Sequence, residues 1–162
     1  MTRRALGVLV WVVLAPAALC AATLVLRPQE WRPHTQDEQR TITIYAYRQW
    51  QSTGIDLEPG DQVRISASGE WQYSPYVGLH GPEGGGKPVT VATYPMQAVD
   101  GGVLLGRIGE TGQEFYVGRG TTWYVDAPGR LMLRINDDLL GDNVGQLTIQ
   151  VGVTPAPQTP TP

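Results

Sequence analysis

The sequence predicts an all-β domain, folded as a β-sandwich or jelly roll, behind an N-terminal transmembrane helix. Short β-branched and aromatic runs of strand length are separated by Gly, Pro and Asp. Gly contributes 20 and Pro 13 of the 162 residues, a content typical of turn-rich folds. No segment after Leu26 sustains a helical period, and parallel strands need crossover helices, so we expect an antiparallel arrangement.

An uncharged run of 22 residues, Ala5 to Leu26, follows Arg3 and Arg4. A helix of this length, at about 1.5 Å per residue, crosses the ~30 Å hydrocarbon core of a bilayer. The small residues in the run are also typical of a signal peptide, but the apolar stretch continues past them, which favours an uncleaved anchor. The two arginines favour a cytoplasmic N-terminus. We expect a membrane-anchored protein with an extracytoplasmic C-terminal domain, or alternatively a protein secreted after signal cleavage.

The remaining chain is predicted to hold one β-domain between two less ordered segments. Alternating apolar residues in 62–67 and 131–135 lie on one face of a sheet. Pro precedes Gly at positions 59–60 and 128–129, as in a type II turn. The predicted strands are 41–47, 61–67, 103–108, 114–117, 121–125, 131–135 and 146–153. The predicted segments are 1–26 (anchor or signal), 27–40 (linker), 41–153 (β-sandwich) and 154–162 (disordered Pro/Thr tail).

Charge and composition exclude several functions. The net charge of −3 provides no basic footprint for nucleic acid. One Cys and two His cannot form a Cys/His zinc site, so any metal would have oxygen ligands. His34 falls in the predicted linker and His80 has no nucleophile-elbow motif beside it. Asp137 and Asp142 could serve a paired-carboxylate glycosidase, but a sandwich of ~110 residues rarely provides a catalytic cleft. We expect a binding protein, not an enzyme.

The most informative local pattern is the acidic segment Asn136 to Asn143. It holds three carboxylates and two carboxamides within eight positions. Hard oxygen donors at this density suit Ca²⁺, which takes 6–8 oxygens. An Asx-rich hairpin loop that caps its own backbone is the alternative. An EF-hand is excluded because the ligand series, the final Glu and the flanking helices are missing.

Several short motifs occur together in a characteristic order. They are Trp50 to Ile55, Pro59 to Val63, Ala67 to Gly69, Tyr73 with Pro75, Gly81-Pro82, Leu104 to Gly109, and the acidic segment together with Gly145, two residues after it. In this order the chain resembles the bacterial galactophilic calcium lectins of the PA-I-like family over about residues 50–153. The resemblance implies a jelly-roll β-sandwich with Ca²⁺ at one tip.

The resemblance also implies site residues. The Ca²⁺ ligands would be the side chains of Asp137, Asp142 and Asn143, the Tyr73 carbonyl, and a carbonyl of Leu139 or Leu140. In the family, vicinal sugar hydroxyls complete the calcium shell, so the implied activity is carbohydrate binding without turnover. The family's sugar-binding loop has His-Pro where this chain has Lys87-Pro88. The resemblance therefore implies a carbohydrate ligand, galactose-like at the closest, and the family's specificity for galactose does not transfer. Candidate sugar-pocket residues are Tyr76, His80 and Lys87. The alternative function is a ligand-free structural or protein-interaction domain.

Overall fold

The computed structural model describes residues 36–157, which form two four-stranded antiparallel sheets. The front sheet has the order β1-β8-β3-β6 and the back sheet the order β2-β7-β4-β5. The prediction of an all-β sandwich is therefore confirmed. The strands are β1 Glu38–Tyr45, β2 Gln51–Leu57, β3 Gln62–Gln72, β4 Leu104–Ile108, β5 Phe115–Tyr116, β6 Gly120–Tyr124, β7 Gly129–Ile135 and β8 Val144–Thr154.

The core lies between the two sheets and is built by alternation along the central strands. On β8, which pairs along its whole length with β3, every second residue from Leu147 to Val153 is buried. On β7, Leu131, Leu133 and Ile135 are fully buried. Because side chains alternate faces along a strand, these two sets define the inner faces of the sheets.

Strand β2 is absent from the predicted strands, and its packing explains why. Residues 51–54 are polar or Gly, and the β2–β7 register shifts between Ser52 and Asp56. At this shift Thr53 is buried, and its hydroxyl donates to the Leu131 carbonyl (2.9 Å) and accepts from the Ile55 amide (3.2 Å). A polar residue therefore occupies a core position because its hydrogen bonds are satisfied there. An apolar alternation cannot reveal such a strand.

Several strands extend beyond the sequence predictions. Strand β1 begins at Glu38, inside the predicted linker, and β3 continues to Gln72. Thr154 is the last residue of β8, and beyond it the Ala156 amide donates to the Asp61 carboxylate at 3.2 Å. The start of the predicted tail is therefore attached to the sandwich.

The predicted N-terminal anchor, residues 1–26, lies outside the described residues, as do residues 158–162 of the predicted tail. Between residues 36 and 157, none of the helical structure is long and apolar enough to cross a bilayer.

Replacing Thr53 by Val tests the role of the buried hydroxyl. The substitution keeps the side-chain shape but leaves the Leu131 carbonyl and Ile55 amide without this partner, so urea unfolding should show a loss of about 1–3 kcal/mol. Thr148→Val, at an exposed position of β8, is the matched control and should change stability by less than about 0.5 kcal/mol. Equal effects at the two positions would contradict this explanation of β2.

Candidate functional site

The candidate site lies at one end of the sandwich, which we call the tip. The tip loop, residues 136–143, joins β7 to β8, and the long connection, residues 73–103, joins β3 to β4. The two loops lie at the same end of the sandwich, because Ile135 at the end of β7 pairs with Leu104 at the start of β4, and Gln72 at the end of β3 pairs with Val144 at the start of β8. The topology therefore places the acidic segment beside the long connection.

Asn136 holds these two loops together. It has no solvent exposure, and its Oδ1 accepts from the Met96 amide at 3.0 Å. Its Nδ2 donates to the carbonyls of Met96 (3.0 Å) and Asp100 (3.1 Å). Its backbone amide donates to the Val103 carbonyl, and its carbonyl accepts from the Gly102 amide. The long connection is thus fixed against the end of β7.

Three buried side-chain oxygens at the tip have no hydrogen-bond partner among residues 36–157. They are Asp137 Oδ2, Asp142 Oδ1 and Asn143 Oδ1. Each belongs to a residue that is predicted from the sequence to be a calcium ligand. An unsatisfied buried polar atom costs about 1–3 kcal/mol, so three in one loop need an explanation. All three are oxygen acceptors of the hard type.

The orientation of Asn143 follows from its neighbours. Its Nδ2 donates to the Ala46 carbonyl at 3.1 Å, and the Ala46 amide donates to Gly145 at 3.1 Å. Residues Leu140–Asp142 form a single 3₁₀ turn directly before it. Because the amide nitrogen donates to the residue that follows β1, the side-chain oxygen points elsewhere and remains available as an acceptor.

The electrostatics of the tip centre on Asp137, whose side chain is buried. Burial raises the pKa of its carboxyl, while hydrogen bonds from Asn143 and Tyr94 offset part of this increase. The pKa of the Tyr94 hydroxyl is raised, first by burial and then by Asp137. Burial and Asp137 also raise the pKa of Tyr73. These mutual effects show that Tyr73, Tyr94, Asp137 and Asn143 lie together.

A positively charged side chain contacts the tip loop at a backbone carbonyl. The buried Arg134 donates from Nη2 to the Asp137 carbonyl at 2.6 Å and from Nη1 to the Gln49 side chain at 2.8 Å. Burial lowers the pKa of this guanidinium, an effect that Asp137 partly opposes. Arg134 thus orients the tip loop without a recorded hydrogen bond to the Asp137 carboxylate.

The two predicted carbonyl ligands, Tyr73 and Leu140, belong to the two loops that form the tip. Tyr73 is buried at the start of the long connection, and its ring packs against His80, with ring centroids 5.4 Å apart. The Leu140 carbonyl accepts from the Asn143 amide at 3.4 Å. A carbonyl has two lone pairs, so this bond leaves capacity for a second interaction. The alternative, Leu139, is exposed beside the 3₁₀ turn.

The candidate sugar-pocket residues lie on the long connection, with different degrees of exposure. Tyr76 is 97% exposed, and Lys87 is also exposed. His80 is only partly exposed: its Nε2 is buried without a partner between residues 36 and 157, and its Nδ1 lies 3.0 Å from the Gly81 carbonyl. A Cβ at Gly102 would come within 2.4 Å of that Nε2, so the ring packs tightly against the chain.

Between residues 36 and 157, no group of three or more acidic, His or Cys side chains is placed to hold a metal ion. The tip set differs in composition, since it combines two carboxylates with one carboxamide and two carbonyls. Tyr94 and Arg134 were not predicted from the sequence as site residues. Tyr94 follows no periodic pattern, and only the folding of the long connection brings it to Asp137.

Comparison with solved structures identifies a similar fold. The chain is similar to the N-terminal domain of EclA, described as a PllA-like lectin, with a TM-score of 0.56 and 24% sequence identity. The similarity covers 70% of this chain and 95% of that domain. No protein-family model matches the sequence, and no curated protein matches it. At this identity the similarity shows the fold alone.

The raised pKa of Asp137 predicts how stability depends on pH when metal is removed with EDTA. The folded state holds this proton more tightly than the unfolded state. As pH rises from the unfolded value (about 3.9) through the raised value, Asp137 therefore lowers the free energy of unfolding, by up to about 1.4 kcal/mol per pH unit. Asp137→Asn lacks this group, so its stability relative to wild type should increase across that interval in urea titrations. A relative stability that is constant or falls with pH would contradict the burial of this carboxyl.

Proposed function

We propose that the sandwich is a calcium-dependent carbohydrate-binding module. The observation that carries the proposal is the set of three buried, unpartnered oxygens on Asp137, Asp142 and Asn143. They are hard donors on one loop, and Ca²⁺ is the common biological cation that takes many such donors with flexible geometry. The lectin-like fold supports the carbohydrate part of the proposal.

The residues present fit a calcium ion. Asp137, Asp142 and Asn143 would hold it through side chains, and Tyr73 and Leu140 through carbonyls. Two carboxylates would neutralise its charge, while the carboxamide and the carbonyls add oxygens without repulsion. When bound, the ion supplies coordination positions for neutral oxygens, and adjacent sugar hydroxyls can replace water there without adding charge.

Selectivity among sugars would come from the long connection. Tyr76 offers an exposed aromatic ring and Lys87 an ammonium group that donates hydrogen bonds to hydroxyls. His80 would act less directly, because its Nε2 is buried. We propose binding without turnover, from a protein anchored by residues 5–26 with this domain outside the cytoplasm. A ligand-free interaction domain is the competing function.

A glycan array probed with the full chain, in calcium and in EDTA, tests the proposal. We expect retention on at least one neutral glycan in calcium and its loss in EDTA, because the sugar would bind through the ion. Asp142→Asn should weaken calcium-dependent retention, since it keeps one side-chain oxygen but removes a negative charge from the ligand set. Asp37→Asn removes the same charge from an exposed position at the other end of β1 and should bind like wild type.

Two results would oppose the proposal. Retention that is unchanged in EDTA would mean that the sugar does not bind through a cation. Absence of retention on every glycan, with a folded protein, would favour the interaction domain.

A further inference from the structure

A second cleft lies at the opposite end of the sandwich from the tip. Its volume is about 470 Å³. Ala127 lines it and precedes the first residue of β7, whereas the tip loop follows the last residue of that strand. Ile108, the last residue of β4, also lines it. The cleft is therefore separate from the proposed calcium site, and its volume falls in the range of ligand-binding clefts.

Four aromatic residues line this cleft, two from each edge strand of the sandwich. Phe115 and Trp123 are partly buried against the core, with ring centroids 4.9 Å apart and planes tilted by 54°. Tyr124 is 68% exposed, and its hydroxyl accepts from the Gln62 side chain at 3.2 Å. Tyr116 is 48% exposed. The floor is held by core packing, and the two tyrosines remain accessible to a ligand.

The charge of the lining is one-sided. Glu114 and Asp126 line the cleft, and among its lining residues from the described part of the chain none is basic. Aromatic faces also carry negative potential, so rings and carboxylates together attract a cation and repel an anion. The remaining polar lining residues are Gln113 and Thr121.

We propose that this cleft binds an arginine or lysine side chain presented by a peptide segment of a partner protein. Strands β5 and β6 are the edge strands of their sheets in the described structure. Edge strands offer unpaired backbone groups to an extended peptide, which a small organic cation would not use. The inference is independent of the proposed function, since it involves neither calcium nor the tip.

The test follows the Trp123 indole N–H resonance by NMR in the full chain, with EDTA present so that the tip does not contribute. The probes are the capped tripeptide Gly-Arg-Gly and its citrulline analogue, which has nearly the same shape and no charge. We expect the arginine peptide to shift this resonance saturably and to bind at least about threefold more tightly than the citrulline peptide.

Matched variants locate the binding charge. Glu114→Gln and Asp126→Asn should each weaken binding of the arginine peptide by about threefold, because each removes one carboxylate from the lining. Glu70→Gln, an exposed position on β3 outside the cleft, should leave its affinity unchanged. Unaltered spectra of the free variants would show that they remain folded.

Other outcomes would overturn the proposal. Equal binding of the citrulline peptide would exclude recognition of charge, and equal binding of choline would indicate a site for small cations. A shift caused by a neutral sugar but not by the arginine peptide would identify a second glycan site. No shift with any probe at tens of millimolar would mean that the cleft has no such ligand.

Discussion

The buried Asn136 side chain is the interaction on which the tip depends. Its three side-chain hydrogen bonds attach Met96 and Asp100, both in the C-terminal part of the long connection, to the end of a central strand. The connection pairs with itself only through isolated bridges and forms no strand, so its attachment to β7 needs a fixed polar partner. Because Met96 is held there, Tyr94 can approach Asp137.

The polar groups at the tip differ in how well they are satisfied. Asn136 uses both ends of its carboxamide, whereas Asn143 uses its nitrogen only. Asp137 is buried enough for its pKa to rise, yet one of its oxygens has no hydrogen-bond partner in the described structure. Stability alone would favour apolar or fully paired groups at these positions. These unsatisfied acceptors are the observation on which the proposed function rests.

The sequence predicted those elements whose signal is local. Strands β4, β6 and β7 were expected within two residues of their observed limits, because apolar alternation and flanking turns mark them. The acidic segment was also identifiable, since its donors are contiguous. Strand β2 was missed because Thr53 replaces an apolar core residue and a register shift interrupts the alternation. Tyr94 reaches Asp137 from a distant segment of the chain, and no spacing in the sequence encodes that contact. Arg134 lies near Asp137 in the sequence, but its hydrogen bond to Gln49 joins distant segments.

A crystal structure grown in calcium would show whether the unpartnered oxygens at the tip bind the ion. We expect one ion with oxygens of Asp137, Asp142 and Asn143 at about 2.3–2.6 Å, absent from crystals grown in EDTA. A tip without an ion in calcium, or with water hydrogen-bonded to all three oxygens, would contradict it. In that case the acidic segment would be a hydrated turn, and the lectin-like fold would serve another purpose.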